Sequence, residues 1–198
     1  MNYDKEMEKI IKTLDYTPKL LLHSCCAPCS SAVVERLKDY FHITILYYNP
    51  NIAPEEEYIK RKEEQKRYLQ NIKSDNDITF LDCDYDKEKF EKMVIGHEKD
   101  EERGPRCYLC YKLRINKTAE IAKEKGFDYF GTTLSVSPYK VSKWINEIGL
   151  DVAKEKNITY LPSDFKKQNG YKLSIELSKK YKLYRQEYCG CIYSKRDN

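Results

Sequence analysis

The stretch KLLLHSCCAPCSSAVVERL, residues 19–37, decides the architecture of this chain. Residues 19–24 form a short apolar run of the kind buried inside a sheet. SSAVVERLKDY, residues 30–40, then carries Val33, Val34 and Leu37 at helical spacing. The pattern predicts a strand, a tight turn, and a helix that starts after Cys29. Between strand and helix lie three cysteines in five residues, Cys25, Cys26 and Cys29. A strand-to-helix turn in a nucleotide-binding α/β protein holds glycines, so that backbone amides can approach a phosphate. Here thiols stand in their place.

The rest of the chain repeats the alternation. HITILYYN (42–49), DITFLDC (77–83), DYFGTTL (128–134) and NITYLP (157–162) read as four more buried strands. Helical patterns separate them at 54–72, 86–98 and 106–126, with Gly126 suited to the residue just past a helix end. A further helix is expected to start after Ser137 and Pro138 and run to about residue 156, and a last one covers 172–183. An N-terminal helix over about 3–14 and a cysteine-containing tail over about 184–198 complete a single α/β domain, 1–198. Strands alternating with such helices indicate a parallel sheet with helices on both faces. Ligands of such sheets bind at the carboxyl ends of the strands. The turns after residues 24, 83 and 134 are therefore expected on one rim.

With 198 residues, 40% of them hydrophobic, the chain can bury one sizeable core. No apolar run approaches the ~18 residues of a membrane span. The first residues, MNYDKEMEKIIKTLDY, lack the apolar core of a signal peptide, so a cytoplasmic location is expected. In that setting eight cysteines point to metal binding or redox chemistry rather than to a disulfide framework. The formal net charge is only +4, which does not demand a nucleic-acid partner. Basic stripes interleaved with some of the 18 tyrosines permit one, although a solvated Lys/Glu surface would look the same.

The cysteines fall into groups. Cys25 and Cys26 end the first strand, where the positive end of the next helix favours thiolates. A lone cysteine here would read as a buried small hydrophobe, but a cluster at a ligand rim reads as a metal site; Cys29 is left unassigned. Cys107 and Cys110 form a CxxC, whose spacing puts both on one helix face. Alone it is ambiguous between zinc, iron–sulfur and a redox dithiol. Together with the first group it indicates a metal, and spacing does not separate a closed zinc site from a [4Fe–4S] cluster. Cys189 and Cys191 flank a glycine that allows the sharp fold of a disulfide loop or a two-thiolate clamp. Cys83, between Asp82 and Asp84, is assigned to the core. His23, His42 and His97 share no metal-ligand spacing, and His23 reads as a satisfied core histidine. Asp164, after the fifth strand, would serve as ligand, acid or turn former.

LLLHSCCAPCSS (20–31), YYNPNIAPEEEYIKR (47–61), RCYLCYKLR (106–114), FGTTLSVSPYK (130–140) and YCGC (188–191) together closely resemble the QueH-type epoxyqueuosine reductases, over nearly the whole chain from Leu20 to Cys191. The resemblance implies a Rossmann-like HUP fold (adenine nucleotide α-hydrolase-like). Its ATP-activating members carry SGGxDS where this chain reads SCCAPC, which argues against ATP use. The implied activity is removal of the epoxide oxygen from epoxyqueuosine at the tRNA wobble position, the last step of queuosine synthesis, without cobalamin. The implied cofactor is a [4Fe–4S] cluster on Cys25, Cys26, Cys107 and Cys110. Cys189 and Cys191 would be a redox-active dithiol or hold an additional iron ion, and Asp164, or Asp84, would deliver protons or bind iron. The implied partners are a tRNA anticodon loop and an unidentified electron donor, with no membrane. Arg61, Lys62, Arg106 and Arg114 are expected to contact tRNA phosphates and loop bases. Two rivals remain, a non-catalytic RNA-binding module stapled by zinc and an ATP-dependent tRNA sulfurtransferase.

Overall fold

The computed structural model describes residues 1–195; the end of the expected tail, 196–198, lies outside the described residues. Strands β1 (Lys19–His23), β2 (His42–Tyr47), β3 (Ile78–Asp82), β4 (Tyr129–Thr132) and β5 (Thr159–Tyr160) form one parallel sheet. Their order is β3-β2-β1-β4-β5, so the chain steps outward from β1 to β3 and then crosses back to place β4 beside β1. That is the Rossmann-like order, with its switch point between β1 and β4. All five expected strands are present, each shorter than its apolar run.

Strand alternation distributes the core. Leu20 and Leu22 point to one face and pack with Met7 of α1 (Tyr3–Lys12) and with Val33, Val34 and Leu37 of α2 (Ala27–Leu37). Leu21 points the other way, toward Tyr111, Ile115 and Ala119 of α5 (Pro105–Glu124) and Ile145, Ile148 and Val152 of α6 (Ser142–Lys156). Helix α3 (Glu55–Leu69) follows β2, α4 (Lys87–Met93) follows β3, and α7 (Gly170–Lys180) packs against α2. Among the described residues, no helix is long and apolar enough to cross a membrane.

Helix α2 starts earlier than expected. It begins at Ala27, with Pro28 in its first turn and Cys26 at the N-cap. Proline suits that turn, because its missing N–H has no intrahelical partner there. Cys29 is therefore the third helical residue, the position whose side chain can reach back toward the cap.

Three strand ends are tied together by His23, which is fully buried. Its Nε2 lies 3.0 Å from the Tyr48 carbonyl, an acceptor only, so the ring proton belongs on Nε2. Nδ1 then accepts from the Thr132 hydroxyl at 3.0 Å, and that oxygen accepts from the Leu134 N–H at 3.2 Å. Burial, helped by the nearby Arg114 guanidinium, pushes the His23 pKa down to about 4 and keeps the ring neutral.

The far edge of the sheet is closed by α6. Asn146 donates to the Ser142 and Ser163 carbonyls and accepts from the Ser163 N–H, each at 2.8 Å. One turn on, Gly149 lies against the Tyr160 ring, so close that an added Cβ would stand 2.3 Å from it. Gly149→Ala is expected to destabilise the chain by about 1–3 kcal/mol through overpacking. Denaturant unfolding checks this, and an unchanged midpoint would show that the ring simply moves aside.

Candidate active site

A cavity of about 660 Å³ opens at the switch point between β1 and β4. The β1–α2 turn contributes Cys25, Pro28 and Cys29, and the loop after β4 contributes Leu134, Tyr139 and Lys140. The C-terminal segment closes it with Arg185, Gln186 and Cys189. The turn after Cys83 does not join this rim, because β3 is the outermost strand and β2 separates it from β1. Asp82, Cys83 and Asp84 instead line a separate shallow depression with Tyr58 and Lys62.

The Sγ atoms of Cys25, Cys26 and Cys29 all lie within 4.8 Å of one another, close enough to serve one metal ion. Cys25 and Cys26 are 3.8 Å apart. Hydrogen bonding from Cys26 and Cys29 holds the Cys25 pKa well below that of an ordinary thiol, against the cost of burial. The partners move the other way, Cys26 up to about 12 and Cys29 also upward, since each keeps its proton beside Cys25. Of the three, Cys25 is therefore the thiol whose ionisation the cluster favours. Cys29, left unassigned by its sequence, is a full member because the early start of α2 folds it back over the cap.

Cys107 and Cys110 stand outside that group. Cys110 packs with Cys191 and with Phe90 and Val94 around α4, and burial pushes its pKa up to about 12. Cys107 Sγ accepts from the Arg103 backbone N–H at 3.3 Å. Cys191 thus meets Cys110, while Cys107 packs against the core cluster that holds Cys25 and Cys26.

Two buried cations face these thiols. Arg114, one turn beyond Cys110, donates from Nε to the Cys110 carbonyl at 3.2 Å, and its Nη2 has no hydrogen-bond partner among the described residues. Although burial opposes it, the guanidinium stays protonated beside Cys110, Cys189 and Cys25. Lys140 Nζ lies 2.7 Å from Cys189 Sγ and 3.9 Å from a Glu102 carboxylate oxygen. Burial works against a thiolate at Cys189, but Lys140 and Arg114 outweigh it and bring the pKa below the ordinary value. Gln186 Nε2 adds a hydrogen bond to Cys26 Sγ at 3.0 Å.

The basic residues expected to meet RNA are mostly elsewhere. Arg61, Arg106 and Arg114 are each at most 2% exposed. Arg61 donates to the Tyr188 and Cys189 carbonyls, and Arg106 to those of His97, Glu98 and Asp100. Guanidiniums spent on internal carbonyls do not reach a phosphate. Lys62 alone stays near the surface, 3.2 Å from Asp82. Asp164 does not line the cavity; its carboxylate accepts from the Ser142 hydroxyl at 3.0 Å and pairs with Lys166 at 3.3 Å. The cavity residue that sequence reasoning missed is Lys140, whose signal was its place in the loop following the fourth strand.

Comparison with known proteins identifies the family. A family model described as "Epoxyqueuosine reductase QueH" matches residues 20–197. A relative of that name from Streptococcus pyogenes serotype M1 is 42% identical over 199 residues, covering 98% of this chain and 78% of its own. Another, from Haemophilus influenzae, is 43% identical and covers 91% of this chain and 73% of its own. A third, from Thermotoga maritima, is 32% identical, covering 88% and 89%. On these matches the chain belongs to the QueH family of epoxyqueuosine reductases.

Proposed function

We propose that this chain reduces epoxyqueuosine to queuosine in tRNA, in the cavity between β1 and β4, with a [4Fe–4S] cluster as electron relay. The observation that carries the reading is the convergence of thiols from three distant segments on two buried cations, Arg114 and Lys140. Those residues suit an iron–sulfur cluster. Cys25, Cys26 and Cys29 offer soft donors within reach of one centre, and Cys107 and Cys110 lie on the helix that carries Arg114. The unpartnered Arg114 Nη2 would balance the negative charge of a thiolate-ligated cluster. A bound cluster would supply electrons singly at low potential.

The chain's own residues would do the rest. Removing an epoxide oxygen breaks two C–O bonds, forms a C=C bond, and consumes two electrons and two protons as the oxygen leaves in water. Oxidation of Cys189 and Cys191 to a disulfide releases that same number of electrons and protons. Gly190 lies between them at φ +107°, a conformation that glycine adopts freely. Lys140, with Nζ 2.7 Å from the Cys189 sulfur, favours the thiolate there and lowers the thiol pKa. An external donor would then restore the dithiol. The same two thiols beside Cys110 would also suit an additional iron ion, which would give them a ligand role instead.

RNA contact is assigned to the cavity mouth. Tyr139 is 63% exposed there, and Lys195 and Arg185 are exposed beside it. Unlike the buried Arg61 and Arg106, Arg185 keeps an exposed side chain while its Nη1 donates to the Ser174 carbonyl and the Ser178 hydroxyl. Exposed rings stack on unpaired bases, and the cations take their phosphates.

Three outcomes follow from this scheme. In protein purified without oxygen, Cys29→Ser is expected to lower bound iron as much as Cys26→Ser; unchanged iron would remove Cys29 from the ligand set. Cys189→Ser and Cys191→Ser are expected to abolish turnover with iron content intact, and normal turnover would rule out the dithiol. Iron lost with activity would favour the ligand role. Arg185→Glu with Lys195→Glu is expected to weaken tRNA binding about tenfold or more and to flatten the salt dependence by about two phosphate contacts. Unchanged affinity at low salt would place the RNA elsewhere.

A further inference from the structure

We infer that one face of α3 is a dock for the C-terminal segment, with Arg61 as the positioning residue that sets Cys189 in the cavity. The inference rests on Cys189 taking part in the reaction. Glu57, Arg61 and Glu64 recur at spacings of four and three, so they share one helix face, which Arg67 extends. The sequence EEEYIKRKEEQKRYL reads as a solvated charged helix, yet this face is covered by residues 181–190.

The contacts form a ladder running antiparallel to the tail. Arg67 Nη2 donates to the Tyr181 and Lys182 carbonyls at 3.2 and 3.1 Å. Glu64 accepts from the Tyr184 backbone N–H at 2.7 Å, and Glu57 from the Tyr184 hydroxyl at 3.0 Å. Arg61 ends the ladder, with Nη1 donating to the Cys189 carbonyl at 3.1 Å and Nη2 to the Tyr188 carbonyl at 3.2 Å. Glu57 fixes that guanidinium from behind, through Nε at 2.6 Å. The loop after β2 completes the dock, as the Ala53 N–H donates to the Gly190 carbonyl at 2.9 Å and the Tyr188 hydroxyl to the Ala53 carbonyl at 2.6 Å. No space is left at Gly190, where an added Cβ would stand 2.8 Å from Ile52 and 3.0 Å from Arg61 Nη1.

Arg61 makes these contacts to backbone carbonyls, so it sets where Cys189 stands and leaves the sulfur to Lys140. Its role is therefore to aim the thiol, acting through the tail without touching substrate.

The test is the rate at which iodoacetamide alkylates each cysteine, read by mass spectrometry on the full chain prepared without metal. Arg61→Met and Gly190→Ala are each expected to speed alkylation of Cys189 about tenfold or more. The double variant should go no further than the faster single one, because both release the same dock. Cys83, outside the cavity, should react at its wild-type rate, which reports an intact fold. In turnover, kcat should fall about tenfold or more with KM within about twofold, and Arg61→Lys should recover part of both effects. Cys189 reactivity within about twofold of wild type in Arg61→Met, or additive effects in the double variant, would overturn the inference. If Arg61→Met also exposes Cys83, Gly190→Ala and Tyr184→Phe decide by the same criteria. A change in Cys189 reactivity with unchanged kcat would uphold the dock and reject the role of Cys189 in turnover.

Discussion

A buried guanidinium has to be answered by negative charge, and Arg114 is the point on which this site depends. It is 1% exposed, and one of its nitrogens has no hydrogen-bond partner among the described residues. An unpaired cation in that position would cost several kcal/mol. The thiols that answer it lie far apart in sequence, Cys25 at the end of β1 and Cys189 in the tail, both with pKa values below that of an ordinary thiol. The dependence runs both ways, since buried thiols ionise only where a cation or hydrogen-bond donor favours the thiolate. That mutual dependence ties the first turn, α5 and the C-terminus together.

The location of the site follows from the sheet. In a parallel sheet with this strand order, the carboxyl ends of β1 and β4 diverge and leave a crevice, with a helix N-terminus on its edge. That electrostatic environment favours an anion of any kind. Glycines would let backbone amides bind a phosphate there. Cys25, Cys26 and Cys29 put polarisable sulfur at the same place, where hydrogen bonds from its two neighbours favour ionisation of Cys25. His23 stiffens the crevice by joining three strand ends through a ring kept neutral by burial.

The tail adds what the sheet lacks. Cys189 and Cys191 belong to no regular element of the sheet, and they reach the crevice because α3 grips the backbone beside them. A charged helix that would otherwise face water thereby becomes part of the active-site wall. The same packing takes Arg61 and Arg106 out of reach of an RNA phosphate. Arg61 and Arg106 satisfy internal carbonyls, and the exposed rings and cations gather at the cavity mouth instead.

Periodicity and punctuation in the sequence were enough to place all five strands and to identify a parallel sheet whose ligand rim carries cysteines, because burial on both faces writes an apolar run and each turn needs its own residue types. The motifs also pointed to the family. Other features depended on distance in space. Whether an arginine on a helix faces phosphate or a buried carbonyl leaves no trace in local spacing, so Arg61, Arg106 and Arg114 read as a basic surface. Cys29 joined the first group only once Pro28 drew the helix start back to Ala27. Asp164 proved to serve a loop, and Lys140 came to Cys189 across 49 residues of chain. Pairings of that kind are decided by packing, since the energy of a buried charge depends on which distant groups surround it.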